Sequence, residues 1–175
     1  MEANDILKND PESVKYRRNI NILNVLGAGV ILFGFWTVVK LVAQVLLGTQ
    51  FIDPEDLEEL GIGGTIFVTF FVAFVFAQDM IMRLYVGLRA RREGRGLKVG
   101  VGHLIVSVIL ILGSLLSIIL VAYSIITAQG DFYDSVVAVF MELSSLVITV
   151  EVFMASVSVR RYRKKLSKEG AKIAG

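Results

Sequence analysis

Ionisable side chains at Lys40, Asp79, Arg83, His103, Glu142 and Glu151 interrupt otherwise apolar stretches of this chain. Such a group in hydrocarbon costs about 2.5–3.5 kcal/mol even on a lenient insertion scale, so each is expected to face protein or water and to have a partner. Lys40 and Glu142 fall at similar depth in their spans, which predicts an ion pair between them. Asp79 and Arg83 lie one helical turn apart and can bridge within one helix. Arg83 can also snorkel toward headgroups. These four residues read as structural intramembrane charges.

Glu151 calls for a different chemistry. Nine residues from Glu142, at about 100° per residue, turn it to the opposite face of a helix. Ser144, Glu151 and Ser158, seven apart, form a second polar row there. Asp79 lies at a comparable depth, and two carboxylates close together would favour protonation of one of them. Glu151, Asp79, Ser144 and Ser158 are therefore candidates either for a proton or ion route or for a partner-binding face. The duller alternative pairs Glu151 with Arg83 or with a base of another subunit.

Other chemistry is sparse. Zero cysteines exclude disulfides, thiolate metal sites and a cysteine nucleophile. With one histidine and no HExxH, a zinc site or a Ser-His-Asp hydrolase has little to build on. His103 reads as a packing or headgroup residue near a membrane face. Ser114 and Ser117 have no base at their depth. The run from Glu93 to Gly100 contains glycines but matches neither G-x-G-x-x-G nor the Walker pattern, and reads as a flexible cytoplasmic turn whose arginines touch anionic lipid. The acidic cluster around Asp53 lacks EF-hand spacing. No enzymatic activity, cofactor or metal is expected.

These residues need elements to hold them, and composition says which. The chain has 175 residues, 55 % of them hydrophobic and 19 % charged, with a mean hydropathy of +0.70. A water-soluble domain this small leaves too much surface in solvent to hide such a content, so lipid is the expected surroundings. Four apolar runs, 20–48, 61–88, 99–127 and 135–159, each match the roughly 20 residues of helix that cross about 30 Å of hydrocarbon. Between and around them lie a tail at 1–19, an acidic outer loop at 49–60, a basic loop at 89–98, a short outer loop at 128–134 and a basic tail at 160–175. The first nineteen residues lack the apolar core of a secretory signal, so no cleavage is expected. Asp10-Pro11-Glu12 and Asp53-Pro54-Glu55 both look like helix starts, predicting a juxtamembrane helix and a short acidic surface helix. The residues after Leu166 are expected to fray.

All 18 basic residues except Lys40 and Arg83 fall in the two tails and the 89–98 connection, while the 49–60 segment is acidic without a base. The positive-inside rule then places both termini and the middle loop in the cytoplasm. Arg160, Arg161, Arg163, Lys164 and Lys165 directly follow a span and read as a surface for anionic headgroups on the cytoplasmic side, each base contributing roughly 1 kcal/mol. The charges hug the membrane, so no nucleic-acid partner is expected. No N-x-S/T acceptor occurs, which agrees with a bacterial inner membrane.

Membrane helices associate through small residues and hydrogen bonds rather than through hydrophobic burial. Each span carries such a seam: Gly27, Gly29 and Gly34 below Thr37, Lys40 and Gln44 in the first; Thr65, Thr69, Val72, Phe76, Asp79 and Arg83 in the second; Ser107, Ser114, Ser117, Val121 and Ser124 in the third, with Gly113 and Ser117 as a small pair; Ser135, Ala138, Glu142, Ser145, Thr149, Val152 and Ser156 in the fourth. The expected fold is an all-α integral membrane protein, an antiparallel four-transmembrane-helix bundle with N-in and C-in termini. Two functions fit it. One is a non-enzymatic assembly, accessory or regulatory subunit with a membrane-protein partner or as a homo-oligomer. The other is a small ion- or proton-coupled transporter or channel using Glu151 and Asp79, although no span is broken by glycine and proline at mid-membrane.

Overall fold

A peptide group in hydrocarbon has no water to bond, so an apolar run that crosses a bilayer must pair its N–H and C=O groups within itself. The computed structural model describes residues 11–46, 54–127 and 132–173; among these, one helix follows each of the four apolar runs and no strand occurs. The helices are α1 (Pro11–Leu46), α2 (Pro54–Gly94), α3 (Gly102–Ile126) and α4 (Phe132–Ile173). Each contains a stretch long and apolar enough to span a membrane.

The helix ends depart from the boundaries read in the sequence. α1 starts at Pro11 with Glu12 in its first turn, so the juxtamembrane helix and the first span are one continuous rod. Pro54 likewise opens a helical turn; Asp10 and Asp53, the expected caps, lie outside the described residues. That acidic piece is separated from the span by Gly61, whose φ of 65° and ψ of 178° only glycine adopts readily. α2 runs on to Gly94, into the segment read as a loop, and closes with the paired bonds of a Schellman turn: Gly96 N–H to Glu93 O at 3.0 Å and Leu97 N–H to Arg92 O at 3.2 Å, around Gly96 at φ 86°. α4 stays helical to Ile173, beyond Leu166, where fraying was expected.

α1 packs along α2 and also against α4; α3 packs on α4 and more lightly on α2; among the described residues α1 and α3 do not touch. Glycines seven residues apart on both helices bring α1 and α2 together. A Cβ at Gly87 would lie 2.6 Å from the Gly27 carbonyl oxygen and 2.6 Å from Ile31 Cγ1, and one at Gly94 would lie 2.9 Å from the Ile20 oxygen. Gly34 faces Arg83 and Met80. As α1 numbers rise along this contact α2 numbers fall, so the two helices run in opposite directions. Gly113 has nothing within 4 Å, so the small pair expected on α3 is no helix contact.

The interior is half polar. Leu23, Val30, Val86, Ala90, Leu110, Val152, Ala155 and Val159 are buried, and so are Arg83, Glu93, His103, Ser107, Ser114, Ser145, Thr149 and Ser156. Large apolar side chains such as Phe67, Phe70, Phe74, Leu112 and Val147 point outward, the arrangement expected where lipid is the solvent. The inward rows of α3 and α4 match the seams read for them at Ser107, Ser114, Ser145, Thr149 and Ser156; Ser124, Ser135 and Gln44 fall outside the described side chains. The first half of the α2 seam is less enclosed than the second. Thr69 is exposed, and the Thr65 and Thr69 hydroxyls bond the carbonyls of Gly61 and Thr65 in their own helix.

Candidate functional site

Among the described residues, two polar clusters cross the helix interfaces. The larger lies where the basic segments meet: the C-terminal part of α2, the start of α3 and the last third of α4. Its centre is Glu93, 1 % exposed. One Glu93 oxygen accepts from Arg160 Nε at 2.9 Å, and the other accepts from the Ser156 hydroxyl at 2.9 Å and lies 3.1 Å from His103 Nε2. His103 is fully buried, with Nδ1 3.1 Å from the Gly100 carbonyl and Nε2 3.2 Å from Ser156 Oγ. The Ser107 hydroxyl caps the His103 carbonyl at 2.7 Å.

Arg160 also donates through Nη2 to the carbonyls of Val99 and Gly100, both at 2.9 Å. Arg163 donates to the Leu97 carbonyl at 3.2 Å, the Glu93 carbonyl at 3.3 Å and the Tyr16 hydroxyl at 3.3 Å. The α2–α3 connection, read in the sequence as a flexible turn, is thus held by two arginines of α4. A turn between helices leaves carbonyls without partners, and the planar guanidinium supplies several donors in fixed directions to satisfy them.

Serine, histidine and glutamate together invite comparison with a hydrolase. In a relay triad the serine and the carboxylate sit on opposite ring nitrogens, and the serine faces substrate. Here both meet the same nitrogen, and Ser156 is 0 % exposed. The arrangement joins α2, α3 and α4 rather than presenting a nucleophile.

The second cluster lies deeper. Arg83 Nε bonds Asp79 Oδ2 at 2.8 Å within α2, the one-turn bridge expected from spacing. The Thr37 hydroxyl of α1 donates to the same oxygen at 3.1 Å, and Arg83 Nη1 reaches the Ser145 hydroxyl of α4. Arg83 is 6 % exposed, so its charge is met by protein, not by headgroups.

Three expectations change. Lys40 is exposed and forms no ion pair with Glu142, which is half-buried and likewise without an ion pair among the described residues. Equal depth put them level, but the rotation of α1 that turns Gly27 and Gly34 to α2 carries Lys40 to the outside. Glu151 is exposed on α4 and joins neither Asp79 nor Arg83, which are engaged with each other. In its row, Ser144 bonds its own helix at Phe140 O (2.8 Å), and Ser158 accepts from Asn19 Nδ2 of α1 at 2.7 Å. The basic run after Val159 is not uniformly available to lipid either. Arg160 and Arg163 are turned inward, Lys165 pairs with Glu12 at 2.7 Å, and Arg161 and Lys164 are exposed.

Glu93 was missed among the site residues, although one signal marks it: it is the lone acid among the basic residues of 89–98. His103 and Ser156 were visible, but their meeting depends on how α3 and α4 are rotated. Family models, curated proteins and solved structures were each compared with the chain, and none matches.

Proposed function

We propose that this chain is an antiparallel four-helix protein of a bacterial inner membrane, with both termini and the basic middle loop in the cytoplasm. It acts without enzymatic activity, as an assembly, accessory or regulatory subunit that docks laterally. One observation carries the docking role: Glu151 sits exposed on α4 between Val147, Val150 and Met154, also exposed, and has no ion pair among the described residues. A carboxyl group on an otherwise apolar outward face is costly in lipid and is relieved by a donor on another helix. The two buried clusters support a rigid scaffold around this face, because they tie all four helices without using it.

The test is purification in mild detergent followed by mass measurement of wild type and Glu151→Leu. The wild type is expected in a complex heavier than one 19.3 kDa chain, and the variant is expected to lose that partner or second copy. A strictly monomeric wild type, or a complex indifferent to the substitution, overturns the reading. The ion-coupled alternative draws less support, since Asp79 is engaged by Arg83 and Thr37 while Glu151 faces outward. It requires a pH- or ion-gradient response in reconstituted vesicles that Glu151→Gln abolishes.

A further inference from the structure

The helix turn after Val159 sends its bases to two sides. Arg160 and Arg163 point inward to Glu93 and the α2–α3 connection, whereas Arg161 and Lys165, one turn apart, line a cavity of about 240 Å³ between α4 and the start of α1. Lys15 enters it from α1. Tyr16 and Tyr162, which also line it, are stacked with ring centroids 4.6 Å apart and planes at 27°, joining the two helices. Ser158 completes the wall. Its oxygen accepts from Asn19, which leaves its own proton for another acceptor.

The charges here are unbalanced. Lys165 is paired with Glu12, but Lys15 and Arg161 are exposed and have no ion pair or hydrogen bond among the described residues. Tyrosine favours the boundary between hydrocarbon and water, and bases just beyond a span reach the phosphates there. The geometry points to a seat for the phosphate of an anionic phospholipid between α1 and α4, with Lys15 and Arg161 supplying charge and Ser158 a neutral donor. Bound there, the phosphate bridges the two helices across the gap that the tyrosine stack spans. Cationic headgroups such as choline meet three bases and are disfavoured. The inference rests on the chain lying in a membrane, not on what docks at Glu151.

Native mass spectrometry of the full chain, released from detergent carrying equal amounts of phosphatidylglycerol and phosphatidylcholine, reads the outcome directly. Wild type is expected to retain phosphatidylglycerol selectively. At about fivefold per charge, Lys15→Gln with Arg161→Gln lowers that affinity about twenty-five-fold. Glu12→Gln removes the one acidic side chain that lines the cavity and raises the affinity, a gain that no folding defect mimics. Lys98→Gln, exposed on the basic side but outside the cavity, leaves it within about twofold of wild type. Equal retention of both lipids, an unaffected double variant, or Lys98→Gln as damaging as the double variant overturns the site. Displacement of the lipid by millimolar inorganic phosphate overturns the lipid assignment in favour of a free phosphate.

Discussion

Truncating Glu93 is the most informative single perturbation, because its carboxylate serves three partners at once. Glu93→Ala strips the acceptor from Ser156 and His103, both 0 % exposed, and from Arg160, whose side chain is 24 % exposed. A buried donor left without a partner costs about 1–3 kcal/mol. Ser156 and His103 keep each other at 3.2 Å but lose the carboxylate both face, so they share that penalty, while Arg160 keeps the Val99 and Gly100 carbonyls and some water, so its share is discounted. The expected loss is about 3 kcal/mol, against an average of about 0.6 kcal/mol for a hydrogen bond between membrane helices. Arg160→Ala leaves Glu93 with Ser156 and His103, and is expected to cost about 1–2 kcal/mol. The double variant should lose less than the sum, since either change alone breaks their shared bond. Equilibrium unfolding in mixed micelles, followed by far-ultraviolet circular dichroism, measures all three. A Glu93→Ala protein within about 0.5 kcal/mol of wild type, or one more stable than Arg160→Ala, refutes the claim that this carboxylate organises the cluster.

Two further substitutions test the helix contacts by the same assay. Gly87→Ala places a methyl 2.6 Å from a backbone oxygen and should destabilise by about 1–2 kcal/mol net of its gain in helix propensity, whereas Gly113→Ala meets nothing within 4 Å and should be neutral or stabilising; equal effects would show that α1 and α2 do not approach through glycine. Asp79→Asn removes the countercharge of a guanidinium that is 6 % exposed and should lower stability by about 2–3 kcal/mol, while Thr37→Val, which loses one hydroxyl proton shared between the same oxygen and the Phe33 carbonyl, should cost under about 1 kcal/mol. A reversed order would mean that Arg83 is satisfied by Ser145 and solvent instead.

The sequence alone determined the helical state, the number of apolar runs and the contact between Asp79 and Arg83. All three follow from short-range physics: uncharged runs long enough for hydrocarbon must close their own backbone bonds, and residues four apart on one helix are neighbours whatever lies around them. The inward rows of α3 and α4 were legible for the same reason, because serine and threonine at steps of three and four mark a face where polar atoms find partners. Rotation and register between helices were not legible. Depth along the axis suggested Lys40 with Glu142, but the glycines of α1 and α2 set the angle of α1 and put Lys40 outside. The basic run at 160–165 looked like one lipid surface until α4 continued as a helix and sent Arg160 and Arg163 to Glu93 and the turn. Only tertiary structure decides such matters, because a partner across an interface depends on how two backbones pack, and a charge pattern along one chain carries no record of that angle.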